Sequence, residues 1–191
     1  VDRIVDFLFE VGMLKRTPRS GWQFLGTGNE TVAEHVFRTT MITFVLAADS
    51  PDVDRDRALR MALLHDLPEA RTGDLNYMNQ KYVTADEGAA AAAMARDLPF
   101  GEEMERLLAE YRAQETPEAR LVRDADQLEM LLELRDHQDA GNPRAREWMP
   151  FVVERLGSEF ARELARRIID ADPSRWWFDK GSDWWVNGGK T

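Results

Sequence analysis

The opening sixteen residues, VDRIVDFLFEVGMLKR, set Ile4, Val5, Leu8, Val11 and Leu14 on one face of a helix over about 2–14, since apolar residues three and four apart share one side of an α-helix. The following stretch, KRTPRSGWQFLGTGNE, loses that period and carries Pro18, Ser20 and three glycines. It reads as a long loop, and loops of that length inside a domain are often functional. A second helix starts near Thr31. Beyond Val36 it is apolar on almost every side, the pattern of a helix buried at the centre of a fold. A third helix covers about 54–66 and should stop where Pro68 pushes Leu67 out of the helical region.

The segment TADEGAAAAAMARDL opens with Thr84 and Glu87 at capping-box spacing and continues as a helix. Its alanine run is a packing or propensity choice. The clearest helix covers about 116–139, with Thr116 as cap, Pro117 in the first turn and Gly141 beyond the end. Two more are predicted near 143–156 and 158–171. No strand, internal repeat or linker stands out. The expected fold is all-α, a compact multi-helix bundle. A single domain spans 1–191, with a motif-bearing core over about 1–139 and further helices and a Trp-rich tail over about 143–191.

Composition narrows the functions available. A chain of 191 residues buries a sizeable core, roughly 70% of the surface its unfolded form exposes. With 35 acidic and 25 basic residues the net charge is −10, which repels nucleic acid and anionic membranes. A small anionic substrate is compatible only where a metal or an arginine reverses the local potential. The absence of cysteine rules out disulfides, thiolate metal sites and a cysteine nucleophile. The opening helix carries Asp2, Asp6 and Glu10, unlike a secretory signal. No apolar run is long enough to span a bilayer, and a cytoplasmic location is expected. The start at Val1 leads to the further expectation that the native start lies upstream.

The segment ALLHDLPEARTGDL gathers His65, Asp66, Glu69 and Asp74 around the break at Pro68. Imidazole nitrogens with carboxylate oxygens suit Mn, Fe, Co, Ni or Zn rather than Ca. A catalytic ion needs only three or four protein ligands, leaving positions for water and substrate. His35, in AEHVF, is the second histidine beside an acid. A further ligand should come from the helix over 116–139, where periodicity leaves Asp124 and Asp126 open. Asp124 lies nearer Leu121, Leu128 and Leu131, and Asp126 nearer Val122 and Met130. His137 stands eleven residues past Asp126, about 16 Å along a continuous helix. It is out of reach of the same ion and is expected to be solvated. Trp176, Trp177, Trp184 and Trp185 crowd the tail, SRWWFDKGSDWWVNGGK. They are expected to dock on the bundle by aromatic burial, an aromatic lid or dimer-facing patch being the alternative.

His35, then His65-Asp66, then a distant Asp resembles the H…HD…D signature of the HD-domain metal-dependent phosphohydrolases. LKRTPRSGW, ETVAEH, LLHDLPEARTGDL and LVRDADQLEM resemble, in order, successive blocks of the HD-domain 5′-deoxynucleotidases of the oxetanocin-like, HD-domain-containing protein 2 type. The resemblance implies His35, His65, Asp66 and Asp126 as ligands of one divalent metal (Co, Mn, Fe, Ni or Zn, with Mg a further candidate). It implies Glu69 as proton donor or water-orienting base and Asp74 as a second acid near phosphate and sugar. Arg19 and Trp22 fall in the phosphate-binding block, with Arg16 as an alternative to Arg19. The implied activity removes phosphate from (deoxy)nucleoside 5′-monophosphates, in a possible homodimer. Such chemistry needs charge stabilisation on the phosphoryl oxygens and an activated water, both of which a metal supplies. It also needs an arginine fork for phosphate and an acid to protonate the leaving alkoxide.

Other readings are an HD phosphohydrolase acting on di- or triphosphates or nucleotide analogues, a non-catalytic nucleotide sensor, and a helical interaction module. Dinuclear HD chemistry would need more histidines than the three present. Alarmone hydrolysis would need a second acid where Ala70 follows Glu69.

Overall fold

The computed structural model describes residues 1–179 and 181–188. Helix α1 (Asp2–Val11) passes into a 3-10 turn (Gly12–Lys15), and a second 3-10 turn (Ser20–Phe24) precedes α2 (Val32–Ala48). Next come α3 (Arg55–Leu64), α4 (Glu69–Thr72), α5 (Tyr77–Gln80), α6 (Glu87–Ala95) and α7 (Gly101–Ala113). The chain continues with α8 (Pro117–Asp139), α9 (Ala145–Glu154), α10 (Glu159–Asp170) and α11 (Trp184–Asn187). The described residues form no strand; a single bridge joins Pro18 and Thr31. The all-α fold predicted from the hydrophobic pattern is therefore the fold observed.

Local chemistry explains most boundaries. Thr31 and Glu34 cap α2 reciprocally, the Thr31 N–H donating to Glu34 Oε2 at 2.7 Å and the Glu34 N–H to Thr31 Oγ1 at 3.3 Å. Thr116 caps α8, with Pro117 in the first turn. Asp86, not Thr84, caps α6, its side chain accepting from the Ala89 N–H at 2.8 Å. Either residue fits a capping pattern, and the backbone turns helical only after Asp86. The predicted loop over 15–30 contains the Ser20–Phe24 turn, and α7 was not foreseen. Its sequence, GEEMERLLAEYRA, buries only Gly101, Met104, Leu107 and Leu108, a narrow apolar stripe.

Two apolar clusters form the interior. One joins Trp22, Leu25, Ile42, Leu46 and Met61 to the buried faces of α8, α9 and α10. The other joins Phe7 and Leu14 to Val32, Val36 and Leu67 and to buried residues of α6 and α7. Helix α2 contributes to both, and Leu64 packs against both. His35 falls between Val32 and Val36 of the second cluster, about two to three turns before Ile42 and Leu46 of the first, and His65 and Asp66 directly follow Leu64. The candidate chemistry thus sits at the seam between the clusters.

Three expectations change. Helix α2 is not buried all round: Phe37, Met41, Phe44 and Val45 are exposed while His35, Thr39, Ile42, Thr43 and Leu46 face inward. High apolar content records hydrophobicity without saying whether neighbours cover every side. His137 is buried, not solvated. Its ring lies 5.0 Å from Trp22, and its Nδ1 is 3.2 Å from Thr27 Oγ1. Gly28, at φ +89, passes so close that a Cβ there would overlap the imidazole. The aromatic tail does not bury its tryptophans: Trp176, Trp177, Trp184 and Trp185 are exposed. Trp177, Phe178, Trp184 and Trp185 instead pack on one another. Lys180 and residues 189–191 of that segment lie outside the described residues.

Candidate functional site

Helix α3 ends at Leu64, and the chain then turns through His65–Pro68 on short-range bonds. The Leu67 N–H donates to Leu64 O at 2.8 Å, and the Glu69 N–H to Asp66 O at 3.0 Å. Across this compact turn His65 and Asp66 point their side chains to the same place. Gly73 ends α4 at φ 72, ψ 161, a conformation essentially restricted to glycine. It returns the chain so that Asp74 Oδ2 accepts the Ser20 N–H at 2.8 Å.

Four of the predicted residues converge. His35 Nε2 lies 3.3 Å from His65 Nε2, 3.3 Å from Asp66 Oδ2 and 3.2 Å from Asp126 Oδ1. His65 Nε2 lies 3.3 Å from Asp66 Oδ2. The other ring nitrogens are already engaged. His35 Nδ1 lies 2.7 Å from Glu129 Oε2, and His65 Nδ1 lies 2.7 Å from Ala62 O. Both Nε2 atoms therefore turn toward the same two carboxylates. Donors about 2.1 Å from one ion in a tetrahedral site stand roughly 3.4 Å apart, so this donor set fits a metal. The ligand atoms of His35, His65 and Asp126 are mutually close enough to hold one, and Asp66 adds its oxygen beside both rings.

The electrostatics favour a cation at that point. Burial and Arg19 oppose charge on His35, yet hydrogen bonds to Asp126, Asp66 and Glu129 outweigh them and raise its pKa well above the usual range. Burial opposes charge on Asp66, but His65 and then His35 hold its carboxyl well below the carboxylate range. Asp126 is likewise lowered, mainly by its hydrogen bond to His35 acting against burial.

Arg19 reaches the rim, its Nη1 3.4 Å from Asp66 Oδ2 and 3.8 Å from Asp74 Oδ2. Burial works against its charge, but Asp66, Asp74, Asp126 and Glu69 keep it firmly protonated. Glu69 lies in the same field, its carboxyl pushed up to about 9 by burial first and then by Asp66 and Asp74. Its Oε2 is buried without a hydrogen-bond partner. A protonated acid beside an arginine and two histidine–carboxylate pairs can bind an anion and give up a proton.

Other sequence-derived candidates lie elsewhere. Trp22 is in the core, its indole N–H donating to Glu30 Oε2 at 2.8 Å and its ring stacked 6.4 Å from Trp148. Arg16 is exposed after the first 3-10 turn, and Arg19, not Arg16, approaches Asp66 and Asp74. Asp124 accepts the Gly157 N–H at 2.6 Å and the Ser158 N–H at 2.9 Å. It closes the approach to α10, leaving Asp126 for the cluster. Two groups escaped sequence reasoning. Tyr111 of α7 packs edge-on against His65 at 5.3 Å, and its phenol is pushed well above its usual range by burial, then by Asp126 and Asp66. Glu129 lies behind His35. An acid three residues after Asp126, between Leu128 and Met130, was the available signal.

The profile of the HD domain family matches residues 11–168, so the chain belongs to the HD domain family. It is 30% identical to mouse (Mus musculus) 5′-deoxynucleotidase HDDC2 over 90% of this chain and 88% of that protein. It is also 30% identical to the Schizosaccharomyces pombe 5′-deoxynucleotidase hdd1, over 71% of this chain and 72% of that protein. A solved structure described as a predicted metal-dependent phosphohydrolase from Magnetospirillum magnetotacticum MS-1 superposes with a TM-score of 0.70. The two are 28% identical, over 88% of this chain and 90% of that one.

Proposed function

We propose that this protein is a metal-dependent phosphohydrolase that releases phosphate from (deoxy)nucleoside 5′-monophosphates. The observation that carries the reading is the convergence of the His35 and His65 Nε2 atoms on Asp66 and Asp126, with Arg19 and Glu69 beside them. His35, His65, Asp66 and Asp126 would hold one divalent ion, with Mn, Fe, Co, Ni and Zn the candidates for this nitrogen and oxygen set and Mg a further one. When bound, the ion supplies charge stabilisation at phosphorus and a water acidic enough to attack at neutral pH. Arg19 orients the phosphate through its guanidinium fork. Glu69 holds the proton that the departing 5′ alkoxide needs as the P–O bond breaks. Asp74, fixed by the Ser20 N–H, positions Arg19 and faces the sugar.

The proposal treats the chain as one domain, supported by Leu64 packing into both apolar clusters. It also includes a homodimer, supported by the uncharged apolar row Phe37, Met41, Phe44 and Val45 on α2 of an acidic chain. Phe44→Glu should then shift the sedimentation coefficient to that of a monomer. No helix among the described residues is long and apolar enough to cross a membrane, and a cytoplasmic setting is proposed from the cysteine-free composition.

The deciding experiment measures phosphate release from a panel of nucleoside mono-, di- and triphosphates with Mn, Co, Fe, Ni, Zn or Mg, comparing wild type with Asp66→Ala. Metal-dependent turnover of 5′-monophosphates that disappears in the variant is expected. Nucleotide binding without release under every metal would instead establish a sensor.

A further inference from the structure

Behind the candidate metal ligands lies a buried polar group that the proposed chemistry does not use. Glu129, on α8, is fully buried. Its Oε2 faces His35 Nδ1 at 2.7 Å. Its Oε1 accepts from Arg38 Nε at 2.9 Å and Nη2 at 2.7 Å. Arg38 reaches outward from the same guanidinium to Glu133 and Asp136. A Glu30 carboxyl oxygen lies within 4.8 Å of both His35 and Glu129. Glu30, His35 and Glu129 have the donor types of a second metal site. However, the Arg38 guanidinium already supplies the positive charge there, and Glu129 has no oxygen free of a protein partner.

We propose that Glu129, held by Arg38, is the positioning residue that fixes the His35 imidazole with its Nε2 lone pair turned into the metal site. Once it ligates, an imidazole is neutral, with one proton and one lone pair, so an acceptor on Nδ1 determines which nitrogen gives up its proton for the metal. The two histidines reach this state differently. His65 donates to Ala62 O, three residues back in its own chain, a neutral acceptor supplied by local geometry. His35 has no such local partner on Nδ1, and the carboxylate that orients it comes from 94 residues away. A charged acceptor also strengthens the ring as a donor to the metal. Removing Glu129 should therefore weaken metal binding even though it lies outside the ligand set.

This inference rests on the metal reading of the site. The test titrates Mn2+ into chelator-stripped protein by calorimetry. Glu129→Gln, which keeps the shape but loses the charge and can present an N–H to the ring, is expected to raise the Mn2+ Kd about 10- to 100-fold. Asp124→Asn serves as the control, because it perturbs a buried carboxylate on the same helix without touching His35, and it should bind Mn2+ as wild type does. Equal affinity in wild type and folded Glu129→Gln, or an equal loss in Asp124→Asn, overturns the proposal. Should Glu129→Gln not fold, Arg38→Gln replaces it, since its side chain is partly exposed. A weaker Mn2+ affinity is again expected, and an unchanged one overturns the assignment.

A second readout needs no metal. In 15N-labelled, metal-free protein at pH 8, the His35 Nδ1–H should resonate far downfield because its acceptor is charged, and Arg38→Gln should move it upfield. Absence of that resonance in wild type overturns the proposal. Its presence in a wild type that takes up no Mn2+ or other divalent ion removes the metal reading while the orientation of His35 stands.

Discussion

The site has two sides built on different principles. On the inner side, His35 is fully buried and backed by Glu129 and Arg38, every partner fixed by hydrogen bonds. On the outer side, Arg19, Glu69 and Asp74 sit on short turns; Arg19 meets Asp66 and Asp74 only at 3.4 and 3.8 Å, and Glu69 Oε2 is unpartnered. The inner side is satisfied and should be rigid. The outer side holds unspent hydrogen-bonding capacity, as a surface meant to receive an anion must. Under the proposed function the difference separates two tasks: the inner side would hold the ion, and the outer side would handle substrate and proton.

Breaking the inner side should have the largest effect. Asp126→Ala is expected to abolish metal uptake and reduce phosphate release to background, a loss of roughly 10³-fold or more. Asp124→Ala, two residues away, should leave both intact and destabilise the fold by about 1–3 kcal/mol by removing the charged acceptor of the Gly157 and Ser158 N–H groups. Metal analysis, phosphate assays and urea unfolding of the two variants test the contrast. If they behaved alike, the separation of the two aspartates would fail.

On the outer side, Glu69→Gln should retain metal and fold while kcat falls roughly 10²- to 10⁴-fold, the range for losing a general acid. Wild-type kcat with full metal occupancy would remove Glu69 from proton transfer. Gly73→Ala should have a smaller effect, since it forces a side chain into a glycine conformation at a cost of about 1–3 kcal/mol and displaces Asp74 from Ser20. Denaturation and KM together read it, and an unchanged KM would show that Asp74 does not help place substrate.

The smallest effect concerns pH. Burial first, then Glu129, raises the Glu30 carboxyl to about 8 from an ordinary 4.5. A raised carboxyl is favoured protonated in the folded state. Its stabilising contribution is complete below about pH 4.5 and is lost as pH climbs toward 8. Glu30→Gln removes that dependence. The melting temperature of the variant should gain on wild type between pH 5 and pH 8.5, and parallel curves would contradict the buried neutral acid.

Much of this was legible in the chain. The apolar period located α1, α2, α3 and α8, and Thr116, Pro117 and Pro68 marked boundaries through bonds made within a few residues. The ordered motif blocks pointed to His35, His65, Asp66 and Asp126 together, although periodicity alone could not choose Asp126 over Asp124. Trp22 was misread because an aromatic in a functional-looking loop gives no local sign that it turns inward onto Trp148 and His137. His137 was misread for the same reason, since its partners Trp22, Thr27 and Gly28 lie more than a hundred residues earlier.

The histidine pair marks the boundary between what the chain determines by itself and what the fold decides. The orientation of His65 is written locally: the helix ends, the ring turns back to Ala62 O, and Pro68 and Gly73 shape the turn that presents Asp66, Glu69 and Asp74. Torsional preferences and short-range hydrogen bonds suffice for that. The orientation of His35, the choice of Asp126 and the charge state of Glu69 depend on α2, α3 and α8 packing together. Burial and long-range Coulomb interactions act between residues far apart in the chain, so only the tertiary structure could decide them.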